Sequence, residues 1–151
     1  MKKIQNKRAF SLLTAIIFLV LVSTISILSL TLSSQSAKQT SDSFLYLQGE
    51  VLAKSSTEYA LLAISGHDFN SSCLEQINIK YPSNDSNYTH EINISISYIG
   101  NSLPCNSSHI LDNNISTDES NRTVIIDTLV KSNPALSSEP IRIHRRTIQK
   151  P

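Results

Sequence analysis

The chain has 151 residues, with only three glycines, no tryptophan and a formal net charge of +1. So few glycines exclude a Gly-rich phosphate-binding loop and nucleotide binding of that type. Four of the 13 basic residues precede Phe10, so the remainder has nine basic and 12 acidic residues and a formal charge of −3. The bulk of the chain therefore lacks the positive charge that is typical of a nucleic-acid-binding protein.

An uncharged segment follows the basic N-terminus and extends over residues 10–37. Its most apolar part, residues 15–32, spans roughly 27 Å as a helix at about 1.5 Å per residue, close to the hydrocarbon thickness of a bilayer. A cleaved secretory signal has a shorter apolar run of about 7–15 residues. We therefore predict a single transmembrane segment at about 15–32, with the basic N-terminus in the cytoplasm and the rest of the chain outside it.

The junction between the basic and apolar segments reads Lys7-Arg8-Ala9-Phe10, and Thr14 follows four residues later. A short basic leader, a small residue and an apolar first residue after it resemble the signal of type IV prepilins and type II secretion pseudopilins. The resemblance covers the leader, the apolar segment and the helix beyond. It implies that a prepilin peptidase removes the leader, residues 1–9, by cutting between Ala9 and Phe10, and methylates the new amino terminus.

Two positions depart from the family pattern, because Ala9 stands where Gly is usual and Thr14 stands where the family has a Glu. In assembled pilins that Glu pairs with the amino terminus of a neighbouring subunit in an apolar filament core, where an unpaired charge is costly. A chain without it resembles the K-type minor pseudopilin, which occupies the filament tip. The alternative is an ordinary signal anchor in which Thr14 has no special role.

Beyond the apolar segment, the sequence predicts that the helix continues to about Ser65 and stops at Gly66. Large apolar residues recur there at helical spacing: Phe44, Leu47, Val51, Tyr59 and Leu62. Polar residues fill most positions between them, which is typical of a helix that covers a core with one apolar stripe. We predict one helix over residues 10–65, and the alternative is a separate anchor helix that ends in the serine-rich stretch 33–36.

Residues 66–151 are predicted to form an extracytoplasmic, β-rich head, because the spacing of apolar residues changes there from helical to alternating. The clearest alternation involves four apolar residues: Ile92, Ile94, Ile96 and Tyr98. Three weaker runs accompany it, at residues 74–81, 123–130 and 140–148. The predicted fold class is α+β, with the long N-terminal helix packed against a small antiparallel sheet of about four strands.

Cys73 and Cys105 are the two cysteines of the chain, and both lie in the predicted head. An extracytoplasmic compartment favours disulfide formation, so we predict that they are joined. A reactive thiol or a metal-binding pair is the alternative, but the CxxC spacing typical of such sites is missing.

The sequence contains no pattern typical of catalysis, so we expect no enzymatic activity and no cofactor. Four histidines are scattered without zinc-site spacing and are expected to be solvated or capping residues: His67, His90, His109 and His144. Oxygen donors gather in one loop, at Asp112, Asn114, Asp118 and Glu119. Calcium prefers such ligands, and some pseudopilins hold calcium in a head loop, although a solvated loop is the alternative.

The head contains seven Asn-x-Ser/Thr sequons, and five of them have an acidic residue two positions before the asparagine: Asn70, Asn87, Asn93, Asn114 and Asn121. This extended pattern resembles the acceptor of bacterial periplasmic oligosaccharyltransferases. These five asparagines are therefore candidate glycosylation sites, and the head is expected to be a glycoprotein.

These observations predict a non-enzymatic minor pilin or pseudopilin in the bacterial inner membrane, with a periplasmic head. Its expected partners are other pilin subunits and the prepilin peptidase. Two alternatives remain. The first is a signal-anchored periplasmic binding or adhesion domain that never enters a filament. The second is a DNA receptor that uses the basic residues of 142–150. A nucleic-acid partner is not expected, because charged residues that alternate along a strand also protect a sheet edge from pairing with another chain.

Overall fold

The structure is a computed structural model that describes residues 5–115, 122–137 and 139–151, with side chains from residue 11 onward. The helix α1 extends from Gln5 to Ser65 and has no break at residues 33–36. It ends as predicted, and the backbone N–H of Gly66 donates to the carbonyl of Leu62 at 3.1 Å. The chain divides into two compact units between Thr40 and Ser41, so the last part of α1 belongs to the same unit as the sheet.

In the first unit, α1 contains an apolar stretch with the length and composition of a membrane span. Its side chains from residue 11 to residue 40 are all exposed in the isolated chain. The serine and threonine hydroxyls bond to carbonyls of the preceding turn, as Thr24 does to Leu21 at 2.8 Å and Ser26 to Val22 at 2.8 Å. These local bonds satisfy the hydroxyls, which makes the segment compatible with a lipid environment.

The second unit contains a five-stranded sheet. The strands are β1 (Gln76–Tyr81), β2 (His90–Gly100), β3 (Ile110–Asp112), β4 (Arg122–Ser132) and β5 (Arg142–Gln149). Four of them form an antiparallel path in the order β1-β2-β4-β5. The loop that joins β1 to β2 is rich in Asn, Ser and Pro.

The predicted number of about four strands was wrong, because β3 adds a fifth. It pairs in parallel with the end of β2, through Tyr98 and Ile99, while β1 covers residues 90–95. Since β4 lies along the whole of β2, β1 and β3 must share the other edge of that strand. Three residues are too few to show an alternating pattern, and tertiary pairing alone makes this segment a strand.

The core lies between the sheet and the second part of α1. Alternate residues of β2 and β4 form it, and Ile92, Ile94, Ile96 and Tyr98 are all buried, as the alternation predicts. The helix contributes a stripe of mostly small residues that are also buried: Leu45, Gly49, Ala53, Ser56, Thr57, Ala60 and Ile64. The Thr57 and Thr128 hydroxyls meet at 3.2 Å in this layer, which satisfies two polar groups away from water.

The prediction of the helix face that covers the core was wrong. Phe44, Leu47, Val51, Tyr59 and Leu62 all point away from the sheet and are 53–71% exposed. Small residues replace them at the contact, because the helix approaches the sheet closely. A Cβ atom built on Gly49 lies 2.9 Å from Cδ1 of Ile143 and 3.4 Å from Nε2 of His90, which leaves no room for a large side chain at that position.

Candidate functional site

The most distinctive surface of the second unit is the outward stripe of α1, which we define as Phe44, Leu47, Val51, Tyr59 and Leu62. At about 100° per residue, these positions fall within an arc of roughly 120° on the helix side opposite to the buried stripe. A salt bridge between Lys54 and Glu50 at 3.3 Å lies beside the outward stripe. The helix therefore presents mostly small residues to its own sheet, and its outward face carries these five large apolar residues interspersed with Gln48, Ser55 and Glu58.

The predicted processing site lies near the start of α1. Ala9 and Phe10 have helical backbone, and their side chains lie outside the described part of the chain. Thr14, at the position of the family's Glu, donates its hydroxyl hydrogen to the Ser11 carbonyl at 2.9 Å. The Thr14 hydroxyl therefore forms a hydrogen bond within its own helix. The side chain has no charge that could neutralise a terminal amine.

The predicted disulfide is present, and the Cα atoms of Cys73 and Cys105 are 4.9 Å apart. It holds the segment before β1 against the loop after β2. Two hydrogen bonds reinforce this region, from the Asn106 N–H to Oε1 of Glu75 at 2.8 Å and from the Tyr98 hydroxyl to the Leu74 carbonyl at 2.7 Å. Burial raises the pKa of Tyr98 to about 12, so this hydroxyl stays protonated and donates throughout the physiological range.

His90 is fully buried, which contradicts the expectation of a solvated histidine. Its Nε2 lies 3.0 Å from the Leu45 carbonyl of α1, and its Nδ1 lies 3.1 Å from the Thr89 hydroxyl. A carbonyl only accepts, so Nε2 carries a hydrogen and ties the sheet to the helix. Burial lowers the pKa of His90, and the bond to Leu45 opposes that shift in part. Alternation along β2 places position 90 on the inward face, and this signal was present in the sequence.

The candidate calcium loop is only partly described, because Asp118 and Glu119 lie outside the described residues. Asp112 Oδ1 accepts the N–H of Asn114 at 2.9 Å, which is a local turn contact. Among the described residues, no group of three or more His, Cys, Asp or Glu side chains is arranged to hold a metal ion. The calcium site at these four residues therefore stays a prediction.

The candidate glycosylation sites differ in their surroundings. Asn70, Asn87 and Asn114 are exposed, Asn93 lies in the middle of β2, and Asn121 lies outside the described residues. At Asn70, as at Asn114, the preceding acidic residue accepts the backbone N–H of the asparagine, with Asp68 Oδ1 at 3.1 Å. Turn formation thus explains the acidic residue at two of these sites without any glycan.

The face of the sheet that points away from α1 carries an ion cluster that the sequence analysis missed. Asp127 on β4 binds Arg146 on β5 through two bonds, at 2.7 and 2.8 Å, and its Oδ1 also lies 3.0 Å from Nε2 of His144. Hydrogen bonding to Arg146 lowers the pKa of Asp127, and the Asp127 carboxylate raises the pKa of Arg146. The alternation of Arg142, His144 and Arg146 was the signal that these residues share one face.

Beside this cluster lies a groove of about 390 Å³, which we call the outer groove. Residues of four strands line it: the polar residues Gln76, Asn78, Asn93, Ser95, Asp127 and His144, and the apolar residues Ile94 and Leu129. The strand register explains this convergence, because Gln76 pairs with Ser95 and Asn78 with Asn93 across β1 and β2. Asn93 and Ser95 belong to one sequon, and both residues line the groove.

The basic residues of the C-terminal strand do not form one patch. Arg142, His144 and Arg146 lie on the same face as the outer groove, whereas Arg145 pairs with Thr128 and lies on the opposite face. In the described part of the chain, β5 is an edge strand, and charged residues are typical of such an edge because they prevent pairing with another chain. This arrangement favours edge protection over a DNA-binding surface.

Comparison of the chain with protein-family models, curated proteins and solved structures found no match.

Proposed function

We propose that this chain is a non-enzymatic minor subunit of a type IV pilin-like filament, of the kind that builds type II secretion pseudopili, type IV pili or DNA-uptake filaments. The outward stripe of α1 is the observation that carries the proposal. Five large apolar side chains in water are unfavourable, at about 25 cal/mol per Å² of apolar surface, and burial against another helix removes that cost. An anchored domain that works alone has no need of this second apolar face.

The N-terminal segment supports the same proposal. It is long and apolar enough to lie in a membrane or in the apolar core of a filament. The junction at Ala9 and Phe10 resembles a prepilin signal, and the uncharged Thr14 fits an end position, because an end subunit has one terminus without a neighbour. We place the N-terminus in the cytoplasm and the head in the periplasm on the distribution of basic residues.

Site-specific photo-cross-linking in the native host tests the proposal with a matched pair of tyrosines. Tyr59 belongs to the outward stripe and is 53% exposed, while Tyr46 is 52% exposed and lies roughly 140° away around the helix. A benzophenone amino acid at position 59 should cross-link to the helix of another pilin-like subunit, and the same group at position 46 should not. Equal products from both positions, or none from position 59, would contradict a filament role.

Processing provides a second test of the proposal. Intact-mass measurement of the protein from cells with the prepilin peptidase should give a methylated chain that begins at Phe10. Cells without the peptidase should keep residues 1–9. An unchanged Met1 start in both strains would favour the signal-anchored periplasmic domain.

A further inference from the structure

The outer groove has the properties of a ligand site that filament assembly does not use. Its volume of about 390 Å³ falls in the range of small-molecule sites, roughly 300–1,000 Å³. It lies on the sheet face opposite to the core, so the ligand does not compete with α1. We propose that this groove binds an acidic oligosaccharide, with a carboxylate of the ligand held at Arg142 and Lys131.

The polar lining matches a ligand with many hydroxyl groups. Within the described residues, the side chains of Gln76, Asn78, Asn93 and Ser95 make no hydrogen bond to another protein group. Each amide offers both donors and an acceptor, and the serine hydroxyl can act in either role. Vicinal hydroxyls of a sugar present the same mixture of donors and acceptors at similar spacing.

The charges at one end of the groove select an acidic ligand. Lys131 and Arg142 are directly opposed on β4 and β5, two residues from the groove-lining Leu129 and His144. Neither cation lies within 4.0 Å of a carboxylate in the described part of the chain. Glu91 on β2 is directly opposed to Lys131 on its other side and offsets part of the positive charge. Lys131 and Arg142 still repel each other as like charges in opposed positions, and a bound carboxylate relieves that repulsion. The guanidinium of Arg142 matches a carboxylate with two parallel hydrogen bonds.

Other features exclude rival ligands. Asp127 does not repel an anion, because the Arg146 guanidinium already neutralises it. Among the described residues, no aromatic side chain lines the groove, whereas proteins that bind single-stranded nucleic acid stack bases on aromatic rings. Ile94 and Leu129 are the two apolar residues in the lining.

Titration of the full chain in detergent micelles with trigalacturonate tests this proposal. The fully methyl-esterified trisaccharide is the matched control, because it differs in its carboxylates alone. We expect the amide-proton signals of Asn78 and Asn93 to shift on addition of the acid, with a dissociation constant in the millimolar range. The ester should bind more weakly by at least about tenfold.

Two variants of the same strand supply the second control. Arg142→Gln and Arg145→Gln each remove one exposed positive charge, but from opposite faces of the sheet. Arg142→Gln should weaken binding of the acid by about tenfold, and Arg145→Gln should change it less than about twofold. The proposal is overturned by absent binding, by equal binding of acid and ester, or by equal loss in both variants. None of these results depends on filament assembly, so they are independent of the cross-linking and processing tests.

Discussion

The two long faces of the helix between Ser41 and Ser65 have opposite compositions. The face on the sheet consists mainly of Gly, Ala, Ser and Thr, and the face away from the sheet carries Phe, Leu, Val and Tyr. Hydrophobicity alone predicts the reverse arrangement. The difference teaches that close approach decides which face packs, because small residues let the helix backbone lie near the strands and leave room for the side chains of β2 and β4.

The largest expected effect comes from a pair of variants two residues apart on these faces. Ile64→Ala removes a side chain that is 1% exposed and should lower the free energy of unfolding by about 2–5 kcal/mol. Leu62→Ala removes one that is 71% exposed and should change it by less than about 0.5 kcal/mol. Thermal unfolding of the full chain in micelles, followed by near-ultraviolet circular dichroism, measures both. Similar losses would show that the assignment of the two faces is wrong.

Gly49 tests whether close approach is the reason for the small residues. Gly49→Leu should destabilise the protein by about 1–3 kcal/mol, because its side chain overlaps Ile143 and His90. Gly49→Ala should destabilise the protein less. Replacing Gly by Ala in a helix is favourable by about 1 kcal/mol, which offsets the cost of shifting the flexible end of Ile143. The same unfolding measurement ranks the two variants, and a Leu variant as stable as the Ala variant would contradict the packing argument.

His90 makes the contact between helix and sheet sensitive to pH. Its pKa in the folded chain is below the ordinary value of 6.5, so its contribution to stability is complete above about pH 6.5 and is lost as the pH falls through the lower folded value. His90→Phe keeps a ring but removes the bond to Leu45, which should cost about 1–3 kcal/mol at pH 7. The difference between the wild type and this variant should shrink between pH 7 and pH 5. A constant difference would contradict burial of the neutral imidazole.

The smallest effect is expected on the outer face of the sheet, where Asp127 and Arg146 form an exposed ion pair. Arg146→Gln should lower the free energy of unfolding only slightly, and less still in 1 M salt, because solvent and ions screen an exposed ion pair. Because Arg146 lowers the pKa of Asp127, this contribution is present above the ordinary value of 3.8 and is lost as the pH falls further. Arg142→Gln is the control without an ion pair in the described residues. A large loss of stability in Arg146→Gln that does not depend on salt would contradict the assignment of this ion pair as exposed.

Local patterns made part of this fold predictable. The strand β2 was evident because burial of one sheet face requires an apolar residue at every second position. The residues from Ile92 to Tyr98 follow this pattern. The helix end at Gly66 and the disulfide also follow from local chemistry and compartment. The short strand β3 and the ion cluster at Asp127 were not predicted, because both depend on a neighbouring strand and its register.

The amino-acid sequence by itself determined the apolar N-terminal helix, the alternating strands and the pairing of the two cysteines. These features depend on hydropathy, spacing and residue type, which are properties of neighbouring positions along the chain. Only the tertiary structure decided which helix face is buried, which carbonyl of α1 His90 bonds to and which side chains line the outer groove. Each of those outcomes depends on the distance between helix and sheet or on strand register, and residues far apart in the sequence set both.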